Sequence, residues 1–267
     1  VFVMKDLSPS VLSRSEQVLL AALLAALVLA CFGPGVAQHA QYHAFADQRD
    51  WRGVPCAMDV LTNLPFAIAG LWGLMRVWQA SLQRSLDTRW HLAAVFFGGL
   101  LVTAAGSSYY HWQPDNDGLA WDRLGMVVAF AGLLGMAVAD RISLRGGVVT
   151  VAATLLTGPV AVLVGYLGGN LLPWVVLQGG GMLLVLVLAL RKPAPGSWGL
   201  PLMAVVALYL LAKLLELGDH TVFAWTGGLV SGHSLKHVAA ALAAWPVLAV
   251  MHNHPPYKLH RAAKAWA

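Results

Sequence analysis

Apolar runs recur along the chain at close to the ~20 residues that a helix needs to cross about 30 Å of hydrocarbon. Eight stand out, at 17–36, 59–79, 91–112, 119–139, 147–167, 171–190, 200–217 and 233–251. None alternates apolar and polar residues in the two-residue rhythm of a membrane β-barrel strand. The connections are short, and none is long or polar enough to form a soluble domain. The pattern predicts an all-α fold, a polytopic transmembrane helix bundle. Its first run follows Lys5 and Arg14, as the core of a secretory signal would. That run extends from Val18 to Phe32 and leads into Gly33-Pro34-Gly35 rather than a small-x-small cleavage site, so a retained helix is expected.

Composition agrees with the pattern. Of 267 residues, 58% are hydrophobic and only 11% charged, too little polar surface for a soluble domain of this length. Twelve of the 17 Lys and Arg residues fall in alternate segments. These are Lys5 and Arg14; Arg76, Arg84 and Arg89; Arg141 and Arg145; Arg191 and Lys192; and Lys258, Arg261 and Lys264. The intervening loops carry Asp47, Asp50, Asp115, Asp117 and Asp219. By the positive-inside rule both termini are expected in the cytoplasm. The formal charge of +5 then belongs to loops beside anionic headgroups and is no footprint of nucleic acid. Cys31 and Cys56 suggest neither a disulfide framework nor a cysteine metal cluster.

Against this apolar background a few polar residues stand out. His233 and His237 are four apart and share one face of the last run, where they can grip one ion together. His111 closes SSYYHW at the end of another run and is the candidate third ligand. Three neutral imidazoles and a water make the open tetrahedral set of a catalytic zinc. Ser107 lies one turn before His111 and faces the same way, and Gly106 beside it permits close helix approach. Asp122, in WDRLGM, follows eleven residues after His111. It reads either as a helix-start carboxylate paired with Arg123 or as a proton shuttle beside the metal. The positive-inside topology puts all of these residues, with Glu216, Asp219 and His220, at the outer ends of their helices. Glu216 and Asp219 are candidates to orient the histidine rings, whereas Lys236 is expected to point away from the metal, towards headgroups. His39 and His43 are weaker candidates, and His91, His252, His254 and His260 fall on the opposite side. Asp47, Asp50, Asp59 and Asn63 offer oxygens for a hard cation such as calcium, or hydrogen bonds within the bundle and pairs with Arg49 and Arg52.

Ser107-x-x-x-His111, Asp122 and His233-x-x-x-His237, with DVLTNLPF at 59–66 upstream, give the chain a resemblance to the alkaline ceramidase family. That family belongs to a wider group of seven-helix membrane hydrolases that includes the adiponectin/progestin receptors and GPI-lipid remodelling proteins. The resemblance spans roughly residues 40–252. It implies a seven-helix core over 40–252, preceded by an additional helix within 1–39 and followed by a cytoplasmic tail at 253–267. It further implies zinc on His111, His233 and His237, with Ser107 and Asp122 acting on the water. Family members that use calcium carry an acidic region beside the first core helix. Residues 47–63 do not reproduce it clearly, so zinc is the expected ion and calcium only an option.

The expected function is zinc-dependent hydrolysis of the amide of ceramide or a related N-acyl lipid, drawn from the membrane itself. Ester cleavage by the same site stays open, as does a lipid-sensing receptor with a structural zinc. A transporter would need polar residues continuing through the membrane, and the other halves of the runs nearly lack them.

Overall fold

The computed structural model describes residues 11–82 and 86–253. Lys5, Arg84, His254, Lys258, His260, Arg261 and Lys264, with nearly all of the 253–267 tail, lie outside them. Among the described residues the chain is all-α, with no strand beyond two isolated bridges. Its helices are α1 (Arg14–Phe32), α2 (Ala57–Leu61), α3 (Leu64–Leu82), α4 (Thr88–Trp112), α5 (Asn116–Arg141) and α6 (Leu144–Gly168). The sixth apolar run folds as α7 (Leu172–Val175), a π-turn (Val176–Gly180) and α8 (Gly181–Ala189). There follow α9 (Leu202–Leu217), α10 (Asp219–Trp225), α11 (Gly232–Leu242) and α12 (Trp245–Asn253).

Among the described residues, seven helical stretches are long and apolar enough to cross a membrane: 14–32, 57–82, 88–112, 116–141, 144–168, 172–189 and 232–253. The run expected at 200–217 forms α9, which at 16 residues spans only about 24 Å. Gly218 interrupts it, and the chain turns into α10. The fold is thus a polytopic helix bundle in which the N-terminal helix precedes six further spanning stretches and the shorter α9.

Capping sets the helix starts. Ser13 and Glu16 form a reciprocal capping box on α1, and Asp87, Asp115, Ser143 and Ser231 each accept a main-chain N–H at the start of α4, α5, α6 and α11. α1 packs on the rest at both ends, with Glu16 and Leu19 against the start of α6 and Gly33 against Leu172 of α7. Its Glu16 accepts from Arg145 at 2.8 Å and from Ser143 at 2.7 Å, while most of its leucines face outward, as suits lipid.

The central pair is α4 and α5, whose contact is the most extensive in the bundle. Small residues let the two backbones meet. A Cβ on Gly99 would lie 2.2 Å from the Ala129 nitrogen, and one on Gly132 would lie 2.2 Å from the Phe96 nitrogen. At Gly106 it would meet the Trp121 carbonyl at 2.5 Å, so the close approach expected beside Ser107 is real. α5 is buried along most of its length and forms the spine of the bundle. A side chain at Gly132 must push the helices apart. Gly132→Val should cost about 1–3 kcal/mol, read as a lower melting temperature of detergent-purified protein. Gly98→Ala should not lower it, because a Cβ there meets nothing within 4 Å and alanine favours the helix.

Candidate metal centre

The end of α4, the start of α5, the end of α9 and the start of α11 meet at one end of the bundle, and His111, His233 and His237 converge there. Their candidate ligand nitrogens lie within 4.8 Å of one another. Ring centroids are 4.7 to 5.0 Å apart, and the rings are 1%, 6% and 4% exposed. His111 Nε2 and His233 Nε2 are 3.2 Å apart. Two nitrogens on one tetrahedral zinc, each at 2.0–2.1 Å, stand about 3.3 Å apart.

The hydrogen bonds favour the same reading. The Thr62 hydroxyl gives its one hydrogen to main-chain carbonyls, chiefly Met58 O at 2.7 Å. It therefore accepts from His237 Nδ1, 3.1 Å away, which makes Nδ1 the protonated nitrogen and leaves the Nε2 lone pair free. His111 Nδ1 has no partner. One proton can sit between His111 and His233, but it cannot satisfy three imidazole nitrogens facing a common point. A cation does. The donor set fits zinc or another divalent ion that prefers imidazole.

Two carboxylates hold the start of α11 and so set the positions of its two histidines. Asp219 Oδ1 accepts the His233 main-chain N–H at 2.8 Å, and Asp59 Oδ1 accepts from Ser234 Oγ at 2.6 Å and from Ser231 Oγ at 3.3 Å. Neither Asp219 nor Glu216 orients a histidine ring as expected. Asp219 acts on the main chain, and Glu216 is paired with Lys213 and Lys236. Negative charge at a helix start also suits the helix dipole.

A loop over 37–56 closes the site from the bundle end. Phe45 packs on His111 and His233, with ring centroids 4.6 and 4.5 Å away. Asp219 Oδ2 accepts Ala46 N at 2.9 Å, His220 bonds the Ala44 carbonyl at 3.1 Å, and Arg49 donates to Leu229 O at 2.9 Å. His43 bonds Tyr110 at 2.9 Å and Asn116 at 3.1 Å and takes no part in the triad. Burial alone would raise the Asp47 carboxyl, but two hydrogen bonds from Arg49 outweigh it and hold it below its ordinary value. Its contribution to loop docking is thus present at neutral pH and is lost as acid brings the pH down through that lowered value. Burial, then the charges of Asp59 and Asp47, push the Cys56 thiol up, so it stays protonated at neutral pH and is no thiolate ligand.

The acidic residues considered for calcium are otherwise engaged. Asp47 pairs with Arg49, Asp50 accepts from Gly53 N at 3.0 Å, and Asp59 serves α11. Asn63 donates to the Asp59 carbonyl at 2.9 Å within its own segment rather than to another helix. Among the described residues, the triad is the one group of three or more His, Cys, Asp or Glu placed to hold an ion.

Ser107 neighbours the Asp122 carboxylate, and with His237 they line the upper part of a large cavity. It encloses ≈ 950 Å³ of atom-free space, its mouth included. Phe96, Leu100, Phe130, Leu133, Met182 and Val205 line its depth. Arg123 does not pair with Asp122. It stacks between Tyr42 and Trp174, 5.5 and 5.4 Å from their ring centroids. Lys236 lines the same cavity as His237 and Asp122 instead of reaching for headgroups. The sequence reading missed that placement, although an ionisable residue between two metal-binding positions in an apolar helix is itself a functional signal. Thr103, one turn below Ser107, lines the cavity with its hydroxyl unpartnered, and a lone threonine in an apolar helix gave no signal of that.

No protein-family model, curated protein or solved structure matches this chain. His233→Ala should purify with less than about a tenth of the wild-type metal, measured by elemental analysis. Thr62→Val removes the acceptor of His237 Nδ1 and should weaken metal affinity about 10- to 100-fold in a chelator competition. Unchanged affinity there would show that the hydroxyl does not orient the ring.

Proposed function

We propose that the protein is an integral-membrane, zinc-dependent hydrolase that cleaves the amide bond of ceramide or a related N-acyl lipid. One observation carries this reading. A single cavity joins His237 of the triad and the Ser107–Asp122 pair to an apolar passage fit for an acyl chain. His111, His233 and His237 would hold a divalent ion, which when bound would supply a Lewis acid for a carbonyl and bring the pKa of water near neutrality.

The chain's own groups do the rest. The walls of the passage hold the acyl chain and exclude water, and the loop carrying Phe45 shields the imidazoles on the other side. An Asp122 carboxylate oxygen takes the proton of the attacking water and returns it to the leaving nitrogen. Ser107 first holds that carboxylate by donating to it. Once Asp122 is protonated, the hydroxyl is released to turn towards the oxyanion growing on the carbonyl. Positive residues in alternate loops support cytoplasmic termini and a site near the opposite face, reached sideways from the lipid.

The resemblance of Ser107, His111, Asp122, His233 and His237 to the alkaline ceramidase pattern supports the amide over an ester. Purified protein incubated with ceramide-type and phospholipid substrates tests the choice. Fatty acid should be released from the amide. Asp122→Asn should keep its metal and lose about 10²- to 10⁴-fold in rate. Full metal content without turnover of any acyl lipid would instead mark a lipid-binding or receptor protein, and release from phospholipid alone an esterase.

A further inference from the structure

Lys213, Glu216 and Lys236 form a charged group that lines the lipid cavity together with Ser107 and Asp122. Glu216 spends both oxygens on lysines. Oε1 accepts from Lys236 at 2.6 Å and Oε2 from Lys213, so one carboxylate ties α9 to α11. Each ammonium carries three N–H groups and gives one to Glu216. Among the described residues the remaining two on each have no protein acceptor. The group therefore holds two positive charges against one negative and has spare donors. Asp122 balances it only while ionised, and the proposed mechanism protonates Asp122.

Ion pairs inside a membrane bundle are costly, and a brace between two helices is made more cheaply by apolar packing. The position of this group is equally informative. Lys213 is eight residues from Val205 along α9, about 12 Å above the depth of the passage, and Lys236 directly precedes the metal-site His237. The charges therefore sit at the level of the scissile bond, not along the acyl chain.

We infer that Lys213 and Lys236, held by Glu216, form a subsite for an anionic oxygen group on the amine half of the lipid, a carboxylate, sulfonate or phosphate within a few bonds of the amide. The preferred substrates are then acidic N-acyl lipids. This rests on reading the cavity as the lipid substrate site. Lys213 and Lys236 are specificity-determining residues, and the reacting bond is left to the groups already described.

The test compares binding of N-palmitoyl taurine, whose sulfonate is a poor zinc ligand, with neutral N-palmitoyl ethanolamine. Metal-loaded full-length protein is held in phosphatidylcholine nanodiscs, and affinity is read by calorimetry. The wild type should bind the sulfonate lipid about tenfold tighter or more. Lys236→Met should bring the two lipids within about twofold while leaving the ethanolamide unchanged, and Lys236→Arg should keep most of the preference. Equal affinities in the wild type would overturn the inference, as would a Lys236→Met loss equal for both lipids, the mark of a structural brace. A preference seen only for palmitate over its alcohol would assign the lysines to the product carboxylate and overturn the headgroup assignment. Because binding is read apart from turnover, absence of amide cleavage with the preference intact would defeat the hydrolase reading alone.

Discussion

A buried imidazole in a hydrocarbon slab has no water to lean on, so each of its nitrogens must find another part of the chain or an ion. The metal-site end of this bundle is organised by that requirement. His237 is served on one side by Thr62, which is itself committed to the carbonyls of α2. His111 has only the other histidines to face. Thr62 between α2 and α3, the caps on α11 and the Phe45 loop all meet around those rings.

The placement is achieved by main-chain anchoring more than by contacts to the rings. Asp59 and Asp219 reach α11 from two different elements and fix its first turn through Ser231, Ser234 and the His233 N–H. Asp219 also fastens the loop at Ala46, so one carboxylate sets both the floor and the cover of the site. The glycine-lined approach of α4 to α5 does the same for Ser107 and Asp122, which come from different helices yet line one cavity.

Much of this was legible in the chain because membrane helices leave plain marks. Long apolar runs, loops too short to wander and histidines four apart on an apolar face set the architecture and the triad. Ser107 and Asp122 were visible for the same reason, since polar groups stand out against Leu and Val. What escaped depended on direction rather than identity. Lys236 and Glu216 were noticed as charged, but only packing between α9 and α11 turns them into the cavity. Phe45 lies in a loop whose course is fixed by hydrogen bonds to residues more than 170 positions away, which no local pattern encodes. α9 starts two residues inside the run expected at 200–217, after Pro201, and ends with it at Leu217.

The seating of Phe45 has a kinetic corollary. Its ring covers two of the three imidazoles, and the loop that bears it is fastened at Ala44, Ala46 and Arg49. On that side, an ion held beneath it leaves only as fast as those fastenings let go. A chelator that approaches from the bundle end waits on that segment of backbone, and the other way in is the cavity that reaches His237.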